Sequence, residues 1–139
     1  MFDDVLKSAA LLTSALLFGG MLLFSASFAA FLFKVLPIAE ARSLIRKAFP
    51  PFYLFVIVTS ATAALLVLGS DSNNNFSSAM MLAMIAATTY PTRQVLMPAI
   101  NAAADSQLKS RFVLLHSLSV VITLAHIVAS AVVILNLAA

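Results

Sequence analysis

The sequence contains no cysteine. Disulfides, iron–sulfur clusters, cysteine-ligated zinc and thiol nucleophiles are therefore excluded, and the redox character of the compartment is not readable. Charge is nearly as scarce. Only 9% of the 139 residues are charged, while 63% are hydrophobic. Soluble domains carry roughly 25% charged residues, and one small core cannot hide this much apolar surface from water. The five carboxylates, Asp3, Asp4, Glu40, Asp71 and Asp105, all fall outside the long apolar runs. That argues against a relay of buried acids and against a His–carboxylate dyad in mid-membrane. No Gly-rich phosphate loop, H-E-x-x-H or G-x-S-x-G motif is present.

What the chain does have is long uncharged stretches. A helix needs about 20 apolar residues to cross the hydrocarbon layer. The runs predict helices over approximately 8–33, 51–69, 77–103 and 107–137, so the whole chain, 1–139, reads as a single transmembrane domain. The third qualifies only if Arg93 lies at the membrane edge or in the protein interior. The fold class expected is all-α: an integral membrane four-helix bundle, with a short interfacial amphipathic helix between helices 1 and 2. Ser25-Ala26-Ser27 resembles a signal-peptide cleavage site, but the segment before the apolar run is net negative and the run itself is too long. Asn75-Phe76-Ser77 formally matches a glycosylation sequon, yet it lies almost in the membrane.

Charge distribution sets the orientation. Seven of the eight Lys and Arg residues lie in two connections: Lys34, Arg42, Arg46 and Lys47 in the first, and Arg93, Lys109 and Arg111 around the third. The loop 70–76 has Asp71 and no base. The positive-inside bias places loops 34–50 and 104–109 in the cytoplasm and both termini outside, in a cell or inner membrane. The net charge of +3 is thus read as topology signal or anionic-lipid contact, with the bilayer rather than nucleic acid as partner.

In the first connection, Pro37 suits the start of a short helix, on which Ile38, Ala41, Ile45 and Phe49 share one face. This predicts an amphipathic helix at the interface, ended by Pro50-Pro51. Small residues let membrane helices approach closely. Ala15-xxx-Gly19, Ala26-xxx-Ala30, Ser60-xxx-Ala64 and Ala79-xxx-Ala83-xxx-Ala87 are the expected packing faces.

Helix 4 carries His116, Ser119, Thr123, His126 and Ser130 at alternating steps of three and four. They therefore share one face, and polar groups in a membrane face the interior. Folding helix 3 back about a turn near residue 106 sets Met97 level with His116, Gln94 with Ser119, Tyr90 with Thr123 and Ala87 with His126. Pro91 and Pro98 free the carbonyls of Ala87 and Gln94, with Arg93 and Asn101 nearby. Tyr90, Arg93, Gln94, Asn101, His116, Ser119, Thr123 and His126 are the seam from which a functional site would be drawn. His126 lies near mid-membrane, about ten residues or ~15 Å beyond His116, so the two histidines cannot share one metal or one haem. The ordinary role for a buried imidazole here is an interhelical hydrogen bond. Met80-xxx-Met84, with Met81, would suit Cu(I), though methionine more commonly serves packing.

The residues Phe33-Lys34-Val35-Leu36-Pro37, then Ala41, then Phe49-Pro50-Pro51-Phe52-Tyr53 resemble the first half of the transmembrane protein 205-like family, also called the family of domain of unknown function 4149. Asn101, Asp105 and Phe112-xx-Leu115-His116-xx-Ser119 resemble its second half. The family pattern often carries Asn where this chain has Thr123. The resemblance implies the membrane fold, and makes His116, Ser119, Asn101 and the Phe-Pro-Pro-Phe-Tyr corner family features; it implies no reaction.

Three functions fit these residues. The first is a non-catalytic accessory or structural subunit, or an oligomeric membrane module, acting as a homo-oligomer or within a larger membrane complex. The second is a transport component for a small solute or a soft, copper-like metal, using the seam between helices 3 and 4. The third is a haem- or tetrapyrrole-binding protein using His116 or His126. The absence of a catalytic motif favours the first, with no cofactor required.

Overall fold

The structure is a computed structural model and describes residues 1–71 and 75–139. Every element among them is helical. We number the continuous helical stretches α1 (Phe2–Val35), α2 (Ile38–Leu68), α3 (75–105) and α4 (Lys109–Ala138). Of these, α1, α2 and α4 are long and apolar enough to cross a membrane by length and composition. The polar turn expected at residues 70–76 falls partly outside the described residues, which omit Ser72, Asn73 and Asn74.

Two of the stretches contain a π-helical turn. In α1 it spans Leu23–Phe28, where the Ala29 N–H bonds the carbonyl of Phe24, five residues back. In α3 it spans Thr92–Leu96, where the Met97 N–H bonds the carbonyl of Thr92. The second follows Pro91, which has no N–H to give the preceding turn. A π turn accommodates one extra residue and rotates everything beyond it.

The expected separate interfacial helix is absent. Residues 38–49 are instead the first turns of α2, which runs through Pro50 and Pro51 without a break. Proline's fixed φ is already helical, so the cost is two missing N–H donors and the loosened carbonyls of Arg46 and Lys47. Aromatic packing on both sides of the prolines holds the axis. Phe24 of α1 stacks on Phe52 with centroids 4.0 Å apart and meets Phe49 edge-on at 5.2 Å. The face assigned to lipid therefore turns largely to protein. Ala41 is buried, Ile45 and Phe49 are half-buried, and only Ile38 is exposed.

Consecutive helices pack on each other, and α1 closes against α4. At one end, Arg46 pairs with Asp105 at 2.7 Å, tying the first connection to the third. Such an exposed pair contributes at most about 1 kcal/mol. At the other end, the Asp71 N–H donates to the Asp3 carboxylate at 2.6 Å, and Lys7 pairs with Asp3 at 2.6 Å. The two basic connections thus share an end, opposite the N-terminus and the second connection. The turn into α4 is closed by the Leu108 N–H on the Ala103 carbonyl and the Gln107 N–H on that of Ala104. Gln107 takes the left-handed conformation there, at φ 54°, where glycine is usual.

The core is built from Leu17, Met21, Val56, Val67, Leu82, Ile85 and Val133, with small residues between them. Of the small-residue faces read from sequence, Ser60-xxx-Ala64 is fully buried and Ala79 is buried alone. Ala15, Gly19, Ala26, Ala30, Ala83 and Ala87 are not buried, so those motifs do not form the contacts expected of them. On α1 the inward face is Ala10, Ser14, Leu17 and Met21. The Ser14 hydroxyl is wholly buried without a hydrogen-bond partner. An unsatisfied buried hydroxyl destabilises, so Ser14→Ala is expected to raise unfolding free energy by about 1 kcal/mol. Unfolding in detergent measures this; a loss of stability would mean that the hydroxyl has a partner.

Candidate functional site

The site forms where α3 faces α4. Thr88 lies on α3 and His126 on α4, with Thr88 Oγ1 and His126 Nε2 2.7 Å apart. Thr88 has one hydroxyl proton and donates it to the Met84 carbonyl at 2.6 Å. The ring N–H at Nε2 therefore donates to Thr88, which leaves Nδ1 as an acceptor.

His126 separates two spaces. On its inner side, Tyr53, Thr89, Thr92 and Thr123 join it around a cavity of about 10 Å³. That is the size of a single water. On its outer side a groove of about 710 Å³ opens between α3 and α4. Met80, Met81, Met84, Thr88 and His126 line this groove together with apolar residues such as Ile122. The groove begins at Phe76, near the start of α3, and runs inward to His126.

The hydroxyls along the interior mostly bond within their own helices. Thr89 donates to the Ile85 carbonyl at 2.6 Å and Thr92 to that of Thr88 at 2.8 Å. Ser119 donates to the His116 carbonyl at 2.7 Å and Thr123 to that of Ser119 at 2.9 Å. These bonds use each hydroxyl proton within its own helix.

The structure divides the expected seam. Thr123 and His126 meet at the small cavity, and Ser119 is buried nearby on the same helix face. His116 was expected to face the interior but is exposed, stacked on Phe112 with centroids 5.5 Å apart and rings nearly parallel. Tyr90 and Gln94 are also exposed, and Asn101 is half-buried. Arg93 turns away from α4: its Nε donates to the Pro50 carbonyl of α2 at 3.1 Å. The π turn over Thr92–Leu96 contributes to this, since the extra residue it takes up rotates the α3 side chains from there on. Thr88, Thr89 and Thr92 stand outside the seam expected from sequence. Three threonines inside an uncharged stretch were the signal that could have found them.

The Thr88–His126 bond yields a measurable coupling. A cycle of Thr88→Val, His126→Phe and the double change is expected to return about 1 kcal/mol, within the range of interhelical bonds in membranes. Additive effects in detergent unfolding would mean that the bond contributes nothing.

No curated protein and no solved structure is significantly similar to the chain. A family profile described as a domain of unknown function, DUF4149, matches residues 12–109, which takes in most of α1, all of α2 and α3 and the turn beyond them. With most of its length inside that match, the chain belongs to the DUF4149 family.

Proposed function

We propose that this chain is a non-catalytic integral membrane module of four spans, acting through lateral contacts with further copies or with another membrane subunit. The observation that carries this reading is the small interior. The inner space beside His126 is about 10 Å³, room for one water, whereas the large space is an open groove between α3 and α4. Among the described residues, neither of these two spaces leads a solute through the centre of the chain, so a transport role would need a path assembled from several chains. Bonding of the seam hydroxyls to their own helices supports a packing role for them.

The count of four spans treats α3 as the remaining crossing. At 1.5 Å per residue, 75–105 extends roughly 45 Å, enough to cross a bilayer. Its one cation within the helix, Arg93, is half-buried and gives one of its donors to the Pro50 carbonyl, which lessens the cost of placing it at the membrane edge or in the protein interior. The orientation we assign keeps both termini outside, on the positive-inside bias.

Two measurements test this. Purification in mild detergent is expected to give a discrete mass above that of one chain; a lone monomer with no accompanying subunit overturns the reading. With no native cysteine as background, Ser106→Cys is expected to be labelled only from the cytoplasmic side and Asp71→Cys only from outside. The reverse pattern refutes the orientation.

A further inference from the structure

Three of the six methionines, Met80, Met81 and Met84, fall within five residues of one another and line a single groove. Met80 and Met84 are one helical turn apart on the same face. They are 47% and 55% exposed, so their side chains are not consumed by the core. Thr88 continues that face by another turn, and it holds His126 of α4 at 2.7 Å. Two thioethers, a third at the adjacent position and an imidazole therefore share one lining.

We infer that this groove binds a soft monovalent metal ion, Cu(I) or its analogue Ag(I), through Met80, Met84 and His126, with Met81 at the margin. The ligand chemistry selects the ion. Thioether and imidazole are neutral and soft, the set that favours Cu(I) over hard cations. The five carboxylates of the chain lie outside the groove, so nothing there offsets a second positive charge. The cost of taking an ion out of water rises with the square of its charge, and an apolar lining accordingly favours one charge over two. His126 is free to turn to the metal. As a ligand at Nε2 the imidazole carries its proton on Nδ1 instead; Nε2 then leaves Thr88, whose hydroxyl keeps its bond to the Met84 carbonyl and is not orphaned. Entry is at the Phe76 end, which adjoins the second connection. This assignment stands whether or not the chain assembles with others.

The test uses the full chain in detergent, with Cu(I) held reduced by ascorbate and competed against a coloured Cu(I) chelator. One ion per chain is expected. Met84→Leu should weaken binding by at least about tenfold, the scale on which disturbed metal sites lose affinity. Met80→Leu/Met84→Leu should reduce it to background, while Met97→Leu, which removes a core thioether outside the groove, should leave it unchanged. X-ray absorption of the native protein needs no variant, and it should show two or three sulfur neighbours and one nitrogen. Equal affinity in the native and double-variant proteins, a copper shell without sulfur, or tighter binding of Zn(II) would each overturn the site. So would a groove that stays metal-free while the helical spectrum is intact.

Discussion

Replacing Phe52 by alanine is expected to cost about 2 kcal/mol or more of unfolding free energy. Phe→Ala changes in protein cores cost about 3–5 kcal/mol, part of which is transfer from water. Lipid is as apolar as the interior, so that part falls away and the lost contacts and cavity remain. At Phe52 those contacts are dense. Its ring lies 4.0 Å from that of Phe24 at an interplanar angle of 6°, and it meets Phe49 edge-on at 6.1 Å and Tyr53 at 5.6 Å. Phe52→Leu refills much of the volume and forgoes the ring–ring geometry, so its cost should be nearer 1 kcal/mol. The alanine change should also loosen α2 around Pro50-Pro51, where the helix lacks two N–H donors. A spin-label pair bridging Arg42 and the α3 end would then report a broader distance distribution than in the native chain. If Phe52→Ala unfolds like the native protein, the aromatic cluster is not what carries α2 through its prolines.

That cluster also marks where sequence reasoning stopped. The all-helical character of the chain and the turn near residue 106 are legible because apolar run length and polar breaks are properties of the chain itself. Depth along the α3–α4 hairpin was nearly legible too: the expected partner of His126 was Ala87, and the residue bonded to it is Thr88, one position along. The side of a helix that a residue occupies was not legible beyond the π turns. A straight-helix count sets Arg93 among the α4 seam residues, but the extra residue taken up in Thr92–Leu96 contributes to its meeting Pro50 instead. The same limit applies to Pro50-Pro51. Local chemistry says stop, and the Phe24 ring of α1 says continue. His116 shows the opposite error, since its spacing is that of an interior residue while the first turns of α4, from Lys109 onward, are mostly exposed.

The glycines of α1 allow a sharper test of which face packs. Gly19 and Gly20 are adjacent, so a substitution at either changes helix propensity equally, and both gain from losing glycine's backbone entropy by up to about 1 kcal/mol. Their surroundings differ. A Cβ built on Gly19 meets nothing within 4 Å, while one built on Gly20 falls 2.6 and 2.7 Å from Cε1 and Cζ of Phe55 on α2. Those are ring-edge atoms of a half-buried side chain, so a single methyl can be accommodated by a modest swing of the ring. Gly20→Ala is accordingly expected to be close to neutral. Valine adds two further carbons that the swing cannot clear, and overpacking of this kind costs about 1–3 kcal/mol. Gly20→Val should therefore lower stability in detergent by that amount, while Gly19→Val stays at or slightly above the native value. Pairing Gly20→Val with Phe55→Ala should recover most of the loss, because the clash partner is gone; independent sites would simply add. If instead Gly19→Val is the damaging change, Ala15-xxx-Gly19 is the true contact face and α1 must be rotated by about 100° from its place here.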